Sequence, residues 1–171
     1  FRNADKTSRE GVELSWNKNL WRDLTAQASY SYIDATFDAD IPELRNDEGE
    51  VVVSRVASGN YIPGIAKNQA FLSLGWKPES GLHAGLDVRY SDKIYVNDLN
   101  SDTAPSYTVA GANVGYHWKM QDWAVNIFAR VDNLFDKDYS GSVIVNESNS
   151  RFFEPAEGRN WSAGLSVTKE F

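Results

Sequence analysis

Apolar and polar residues alternate with a period of two along most of this chain, the pattern of strands whose two faces meet different surroundings. Val12, Leu14 and Trp16 alternate with Gly11, Glu13 and Ser15 in Arg9–Asn17. Leu24, Ala26, Ala28, Tyr30 and Tyr32 share one face of Leu24–Phe37. The same holds for Ala70, Leu72, Leu74 and Trp76 in Asn68–Lys77, and for Leu82, Ala84, Leu86, Val88 and Tyr90 in Leu82–Val96. Ala110, Ala112, Val114, Tyr116 and Trp118 line Ser106–Lys119, and Trp123, Val125, Ile127, Ala129 and Val131 line Trp123–Leu134. The last run, Asn160–Phe171, carries Trp161, Ala163, Leu165, Val167 and Phe171. These runs predict seven strands and no helix. Each strand is roughly 10 to 14 residues long, whereas strands of soluble domains cluster near 5 or 6 and a tilted membrane-spanning strand needs about 9 to 11.

The connections alternate short and long. Lys18–Asp23, Pro78–Gly81 and Met120–Asp122 are short; Asp38–Lys67, Asn97–Pro105 and Phe135–Arg159 are longer. Outer-membrane barrels join their strands in this way. Trp16, Trp21, Trp76, Trp118, Trp123 and Phe171 lie at the short-turn end, and Tyr30, Tyr32, Tyr90, Tyr95 and Tyr107 toward the long loops. In up-and-down strands these become two aromatic belts flanking an apolar band. Alternation alone does not say which face is inside, since a soluble ligand-binding barrel turns its apolar face inward. Strand length and belts favour an apolar exterior.

Composition narrows the function. Hydrophobic residues make up 42% of the chain and aromatics 13%. The mean hydropathy of -0.48 looks soluble, yet alternation hides membrane-facing residues in such an average. No apolar run reaches the ~18 residues of a membrane helix. A net charge of -7 argues against nucleic-acid binding through a phosphate-neutralising face. With no cysteine, disulfides, thiolate metal sites and cysteine nucleophiles are excluded. The chain starts at Phe1 and holds one methionine, so it reads as an excerpt. An odd strand number agrees, because bacterial single-chain barrels are even. Ser142–Val145 is too short to span and reads as a ribbon in a loop.

Several segments carry a resemblance. Arg9-Glu10-Gly11-Val12-Glu13-Leu14 resembles a strand of TonB-dependent outer-membrane transporters. Asp132-Asn133-Leu134-Phe135-Asp136-Lys137-Asp138-Tyr139 is similar to the segment that closes their penultimate strand. Glu154–Asn160 resembles the segment introducing their last strand, and Ile62–Gln69 the approach to a descending strand in ferric-siderophore receptors. The resemblance implies an antiparallel up-and-down transmembrane β-barrel of 22 strands with a plugged lumen. Residues 1–171 would be its C-terminal portion, some seven or eight strands, without the plug. It implies uptake of scarce cargo, such as a ferric siderophore or another metal chelate or cofactor, driven by the TonB complex through the missing plug. It implies outer-membrane lipid, lipopolysaccharide and the barrel-assembly machinery as further partners. Ala163, Leu165, Val167 and Phe171 would be the assembly signal, with Lys169 departing from the usual apolar residue. No resident cofactor and no enzymatic step are implied. Two other readings stand beside it: a small stand-alone outer-membrane barrel serving as anchor or adhesin, and a soluble ligand-binding barrel.

No catalytic or metal motif is apparent. His83 and His117 are the only histidines and lie on different strands, where they read as polar lumen or interface residues. Asp38–Arg55 is acidic and reads as a solvated loop. Cargo contacts are expected from loop residues that turn inward: Arg55, Tyr61, Tyr95, Asn97, Arg151, Phe152 and Phe153. Arginine offers charge-assisted hydrogen bonds to an anionic chelate, and the aromatics offer flat surfaces. Asp87, Arg89, Arg130 and Asp132 are expected to form a polar ladder with internal salt bridges.

Overall fold

The computed structural model describes residues 6–169, the side chains of 52 and 53 excepted. The chain runs through β1 (Thr7–Trp21), β2 (Leu24–Phe37), β3 (Leu44–Arg45), β4 (Val51–Val53), β5 (Asn68–Trp76), β6 (Gly81–Ser91) and β7 (Ile94–Tyr95). It continues through β8 (Thr103–Ala104), β9 (Tyr107–Met120), β10 (Trp123–Asp132), β11 (Ser140–Val143), β12 (Phe153–Pro155) and β13 (Asn160–Lys169). The seven long strands form one antiparallel sheet in the order β1-β2-β5-β6-β9-β10-β13. This is an all-β sheet with every long strand beside its neighbour in sequence, a sector of an up-and-down barrel wall.

The expected strand Leu82–Val96 is two elements. The ladder stops at Ser91, where the backbone N–H of Asp92 donates to the carbonyl of Asn68 at 2.9 Å and the Asp92 carboxylate accepts the N–H of Lys93 at 2.8 Å. Beyond this bend β7 pairs with β8, outside the main sheet. Two further ribbons, β3–β4 and β11–β12, rise from the other long loops. The second contains Ser142 and Val143 as a loop ribbon, paired with Phe153 and Glu154.

Register fixes the faces. Directly opposed residues share a face. The rows Trp16–Ala28–Leu72–Val88 and Ala112–Val131–Trp161 are apolar, and the rows Asn17–Gln27–Ser73–Asp87 and Asn113–Arg130–Ser162 are polar. From Leu24 to Tyr32 the apolar face of β2 rises about 26 Å along the strand, or roughly 20 Å once tilted by 35–45°. Trp16, Trp21, Trp76, Trp118 and Trp123 rim its short-turn edge and are all exposed. Trp161 is the exception: it faces outward at the loop end of β13. The tight turns Arg22-Asp23 and Gln121-Asp122 each begin with a left-handed residue, at φ 36° and 43°, which suits the twist of the flanking strands.

On the polar face large side chains lie over glycines of the next strand. His83 sits over Gly115 and donates to, or accepts from, Asn126 on β10 at 2.9 Å. Phe128 covers Gly164. A Cβ on Gly115 would stand 2.5 Å from the carbonyl oxygen of Ile127, which is backbone and cannot yield; one on Gly164 would meet only the Phe128 ring.

The segment Asn133–Asp136 is explained by its hydrogen bonds. Asn133 is buried with φ 49°. Its Oδ1 accepts the Lys137 N–H at 2.8 Å, and its Nδ2 donates to the carbonyls of Lys137 at 2.9 Å and Glu157 at 3.3 Å. The Asp136 carboxylate accepts the Arg159 N–H at 2.8 Å. The exit of β10 is thereby tied to the entry of β13. In a thermal-melting experiment on the full-length protein in detergent, Gly115→Ala is expected to destabilise by about 1–3 kcal/mol, and more than Gly164→Ala, whose neighbour is a movable ring.

Candidate functional site

The polar face is the inner one: cavities open on it. One of about 620 Å³ lies in the loop-proximal half and is bordered by Glu13, Ser31, Gln69, Phe71, Arg89 and Tyr107. Two arginines of this inner face, Arg89 at the cavity and Arg130 on β10, differ in kind. Arg130 bridges Asp87 at 3.0 Å and Asp132 at 2.7 Å, lying over Gly111. A pair this accessible stabilises by about 1 kcal/mol or less, and its main effect is to lock β6 to β10 across β9. The expected ladder is present in these three residues. Arg89, its expected fourth member, is exposed and makes no ion pair among the described residues. Arg89 faces the lumen with a guanidinium free to bind an anion. Tyr107, its ring tilted 37° against that of Tyr139 with centroids 4.3 Å apart, lines the same wall. Tyr107, expected in the outer aromatic belt, instead faces inward, because it opposes Ser91 on the polar parity of β9.

Above the wall the three long loops are strapped into one crown. Tyr61 and Asn100 exchange hydrogen bonds at 2.7 and 2.8 Å. Asn60 donates to the Asp98 carbonyl at 2.8 Å. Asn146 donates its backbone N–H to the Val96 carbonyl at 2.9 Å and its amide to the Asp98 carboxylate at 3.1 Å, and accepts from the Asp98 N–H at 3.0 Å. Val96, at the centre of these bonds, is 0% exposed. Asn97 ties back the turn through Ser101 at 2.9 Å. Asn97 and Phe152 border one crown cavity of about 780 Å³, together with Leu99 and Glu147. Arg55 is bound to Asp40 at the rim. Arg151 is exposed, and Phe153 pairs in β12, its ring edge-on to Phe152 at 6.2 Å.

Tyr61 and Tyr95 come together elsewhere. Thr36 and Tyr61 are directly bridged, so Tyr61 takes the side of Thr36, which is the outer side by the β2 alternation. Tyr95 stacks on it with ring centroids 5.6 Å apart and planes 6° from parallel. Lys67 donates to Asp34 at 2.7 Å and to the Tyr61 hydroxyl at 3.0 Å. The Asp34 carboxylate and then the Tyr61 hydroxyl hold the Lys67 ammonium above the ordinary lysine range. These two tyrosines, expected to turn inward, stand on the exterior because pairing parity leaves them no inward direction.

His83 and His117 both border a cavity of about 520 Å³ near the short turns, with Asn113 and Asn126. Among the described residues no group of three or more His, Cys, Asp or Glu gathers as a metal site. Ala163, Leu165 and Val167 share the outward face of β13 with Lys169, whose ammonium lies 5.5 Å from the Trp123 ring centroid. Phe171 lies outside the described residues.

Charge is partitioned. Residues 38–67, 92–106 and 133–159 hold 14 acidic and 7 basic residues, which is the whole chain's net charge of -7; the strands and short turns balance.

An apolar exterior, a polar lumen and a strapped crown define a wall sector of an outer-membrane receptor barrel. Residues 1–134 match the family described as TonB dependent receptor-like, beta-barrel, and the chain belongs to that family. It is 27% identical over 171 residues to a probable TonB-dependent siderophore receptor, PiuA, of Acinetobacter baumannii, covering 100% of this chain and 22% of the relative. It is 30% identical over 146 residues to the ferrioxamine B receptor of Salmonella typhimurium, covering 81% of this chain and 19% of that protein. The crystal structure of PiuA superposes with a TM-score of 0.79 at 25% identity, over 95% of this chain and 22% of that one. The chain thus spans about a fifth of the length of the curated relatives it matches. Its place is the outer membrane.

Two outcomes follow from the crown. Asn100→Ala, which unfastens the loops of residues 38–67 and 92–106, is expected to speed amide exchange in both loops of the full-length receptor and leave strand amides unchanged. Asp40 accepts the Ser58 N–H and the Arg55 guanidinium, which hold its carboxyl below the usual aspartate range. A lowered carboxyl stabilises above its unfolded value, about 3.9, and the effect is lost as pH falls through the lowered one. Spin labels flanking residues 40–58 are expected to report constant order from pH 7 to about 4 and loss below, whereas Asp40→Asn loosens the segment at every pH.

Proposed function

We propose that the protein to which this wall belongs takes up a ferric siderophore across the outer membrane, powered through TonB. The family match together with relatives named as siderophore and ferrioxamine receptors carries this reading. The crown receives the chelate, the lumen passes it, and a plug outside this chain couples passage to the TonB complex. The process is binding and gated transit without bond chemistry. In this reading Asn97 and Phe152 contact cargo in the crown cavity, where Arg151 and Phe153 border the same loop. Arg89 contacts it in the lumen. A charged hydrogen bond from Arg89 suits the hydroxamate, carboxylate or catecholate oxygens of a chelate. Assembly through the barrel machinery, reading Ala163, Leu165, Val167 and Phe171, belongs to the same proposal.

A deletion strain provides the test. Growth on a ferric siderophore as sole iron source is expected to fail without the gene and to return with it. Arg89→Ala in the full-length receptor is expected to weaken binding of an anionic ferric chelate by about tenfold or more, measured by intrinsic tryptophan quenching. Growth unaffected by deletion on every siderophore offered would sink the proposal.

A further inference from the structure

The inner wall changes character toward the short turns. The cavity of about 520 Å³ that His83 and His117 border is also bordered by Lys77, Ser166 and Thr168. Every polar side chain on it can donate a hydrogen bond, and among the described residues no carboxylate borders it. Lys119 stands one rung further down the same face, opposite Ala124. The inner-facing carboxylates of the described strands, Glu13, Asp87 and Asp132, lie nearer the loops, and Arg130 holds the last two. Asp23, Glu79 and Asp122 belong to the short turns, outside the strand faces.

The fold leaves these donors unused. In the crown, the amides of Asn60, Asn97, Asn100 and Asn146 are all committed to clasps. At this cavity a single side-chain bond is made, between His83 and the Asn126 carbonyl. It leaves the Asn126 Nδ2 without a protein partner among the described residues. The side chains of Lys77, Asn113, His117, Ser166 and Thr168 are in the same condition.

Position gives the cavity a direction. From Val109, which opposes Arg89, to His117, β9 rises about 26 Å. An anion entering from the crown thus leaves an acidic rim and meets one free guanidinium. It then reaches an ammonium and two imidazoles set among neutral donors, beside turns that face the periplasm in outer-membrane barrels. The inner face becomes more favourable to negative charge along that path.

We infer that this cavity is an exit-side station for anionic cargo. Lys77, His117 and the amides of Asn113 and Asn126 hold the carboxylate or catecholate oxygens of a ferric chelate after it has left Arg89. The volume is that of a small-molecule site. The inference rests on the uptake reading and deepens it, since it makes anionic chelates the substrate class and gives transit two stations on one wall.

Cells lacking the gene and carrying the full-length receptor are given radio-iron complexes of an anionic tricarboxylate siderophore and of an uncharged trihydroxamate. The variant combines Lys77→Gln with His117→Gln and keeps His83, which lies over Gly115. Its maximal uptake rate for the anionic chelate is expected to fall about fivefold, with the half-saturating concentration unchanged because the crown and Arg89 set it. The uncharged chelate is expected to enter at the wild-type rate, and Lys77→Arg alone to preserve both rates. An unaltered rate for the anionic chelate would overturn the inference, as would equal losses for the two chelates. A wild-type receptor that carries only the uncharged chelate would also overturn it. A lowered melting temperature of the resting double variant in detergent would assign the cavity to a carboxylate of the plug instead. Failure of the wild type to carry any chelate would tell against the uptake proposal itself, a result distinct from wild-type uptake that the double variant leaves intact.

Discussion

Hydrocarbon offers a backbone no hydrogen-bond partner, so each N–H and C=O that crosses it must find one on the next strand. The long ladders of this sheet answer that demand. β1 pairs with β2 from Thr7 to Trp21, and β9 is paired on both sides, by β6 and by β10. Once pairing is fixed, so is parity, and parity assigns each side chain to lipid or lumen. The rest of the structure follows from this assignment: tryptophans at one rim, serines and amides on the inner wall, and large lumen residues folded over glycines where the wall must stay thin.

The wall itself has little core. Among the described residues, buried apolar side chains gather mainly above it, in Phe37, Ile41, Val56, Ala66, Val96 and Ala104. Phe37, Ile41 and Val56, with Ile62 against them, form the one hydrophobic cluster of that set. A barrel wall draws its stability from lipid and ladder, so its apolar atoms stay exposed in the isolated chain. The crown stands in water and must hold itself together as a soluble domain does, by burial and by amide clasps. The two halves of the molecule thus obey different rules of stability, and the bend at Ser91–Lys93 marks one point where the rules change.

The strands, their faces and the Trp rim were legible because each rests on a period of two and on local composition. Ser91 was not legible as an end, since Ile94 and Val96 continue the apolar alternation of β6 while pairing with another partner. The clasps of Asn60, Asn100 and Asn146 join residues 38 to 48 positions apart, and no local pattern announces them. Asp87, Arg130 and Asp132 could be placed together because they share the inner parity of strands separated by a single neighbour. Arg89 shares that parity too, yet which carboxylate an arginine reaches depends on tilt and stagger. The inward expectation for Tyr61 rested on its being a loop residue; its direction is set by the Thr36 bridge, a long-range pairing. Asn133 and Asp136 could be matched as a motif, but the reason for it lies in long-range hydrogen bonds to Glu157 and Arg159, which fasten one strand's exit to the next one's entry.

The separation of charge between a neutral wall and an acidic crown gives solutes a signed approach to the cell. Screening shrinks the reach of that field from about 30 Å at 0.01 M salt to about 10 Å at 0.1 M and about 3 Å at 1 M. An anionic solute arriving in dilute medium is slowed well before contact, and a cationic one is drawn in. Within this sector the repulsion of anions and the attraction of cations therefore both fade as salinity rises, and the neutral wall beneath feels neither.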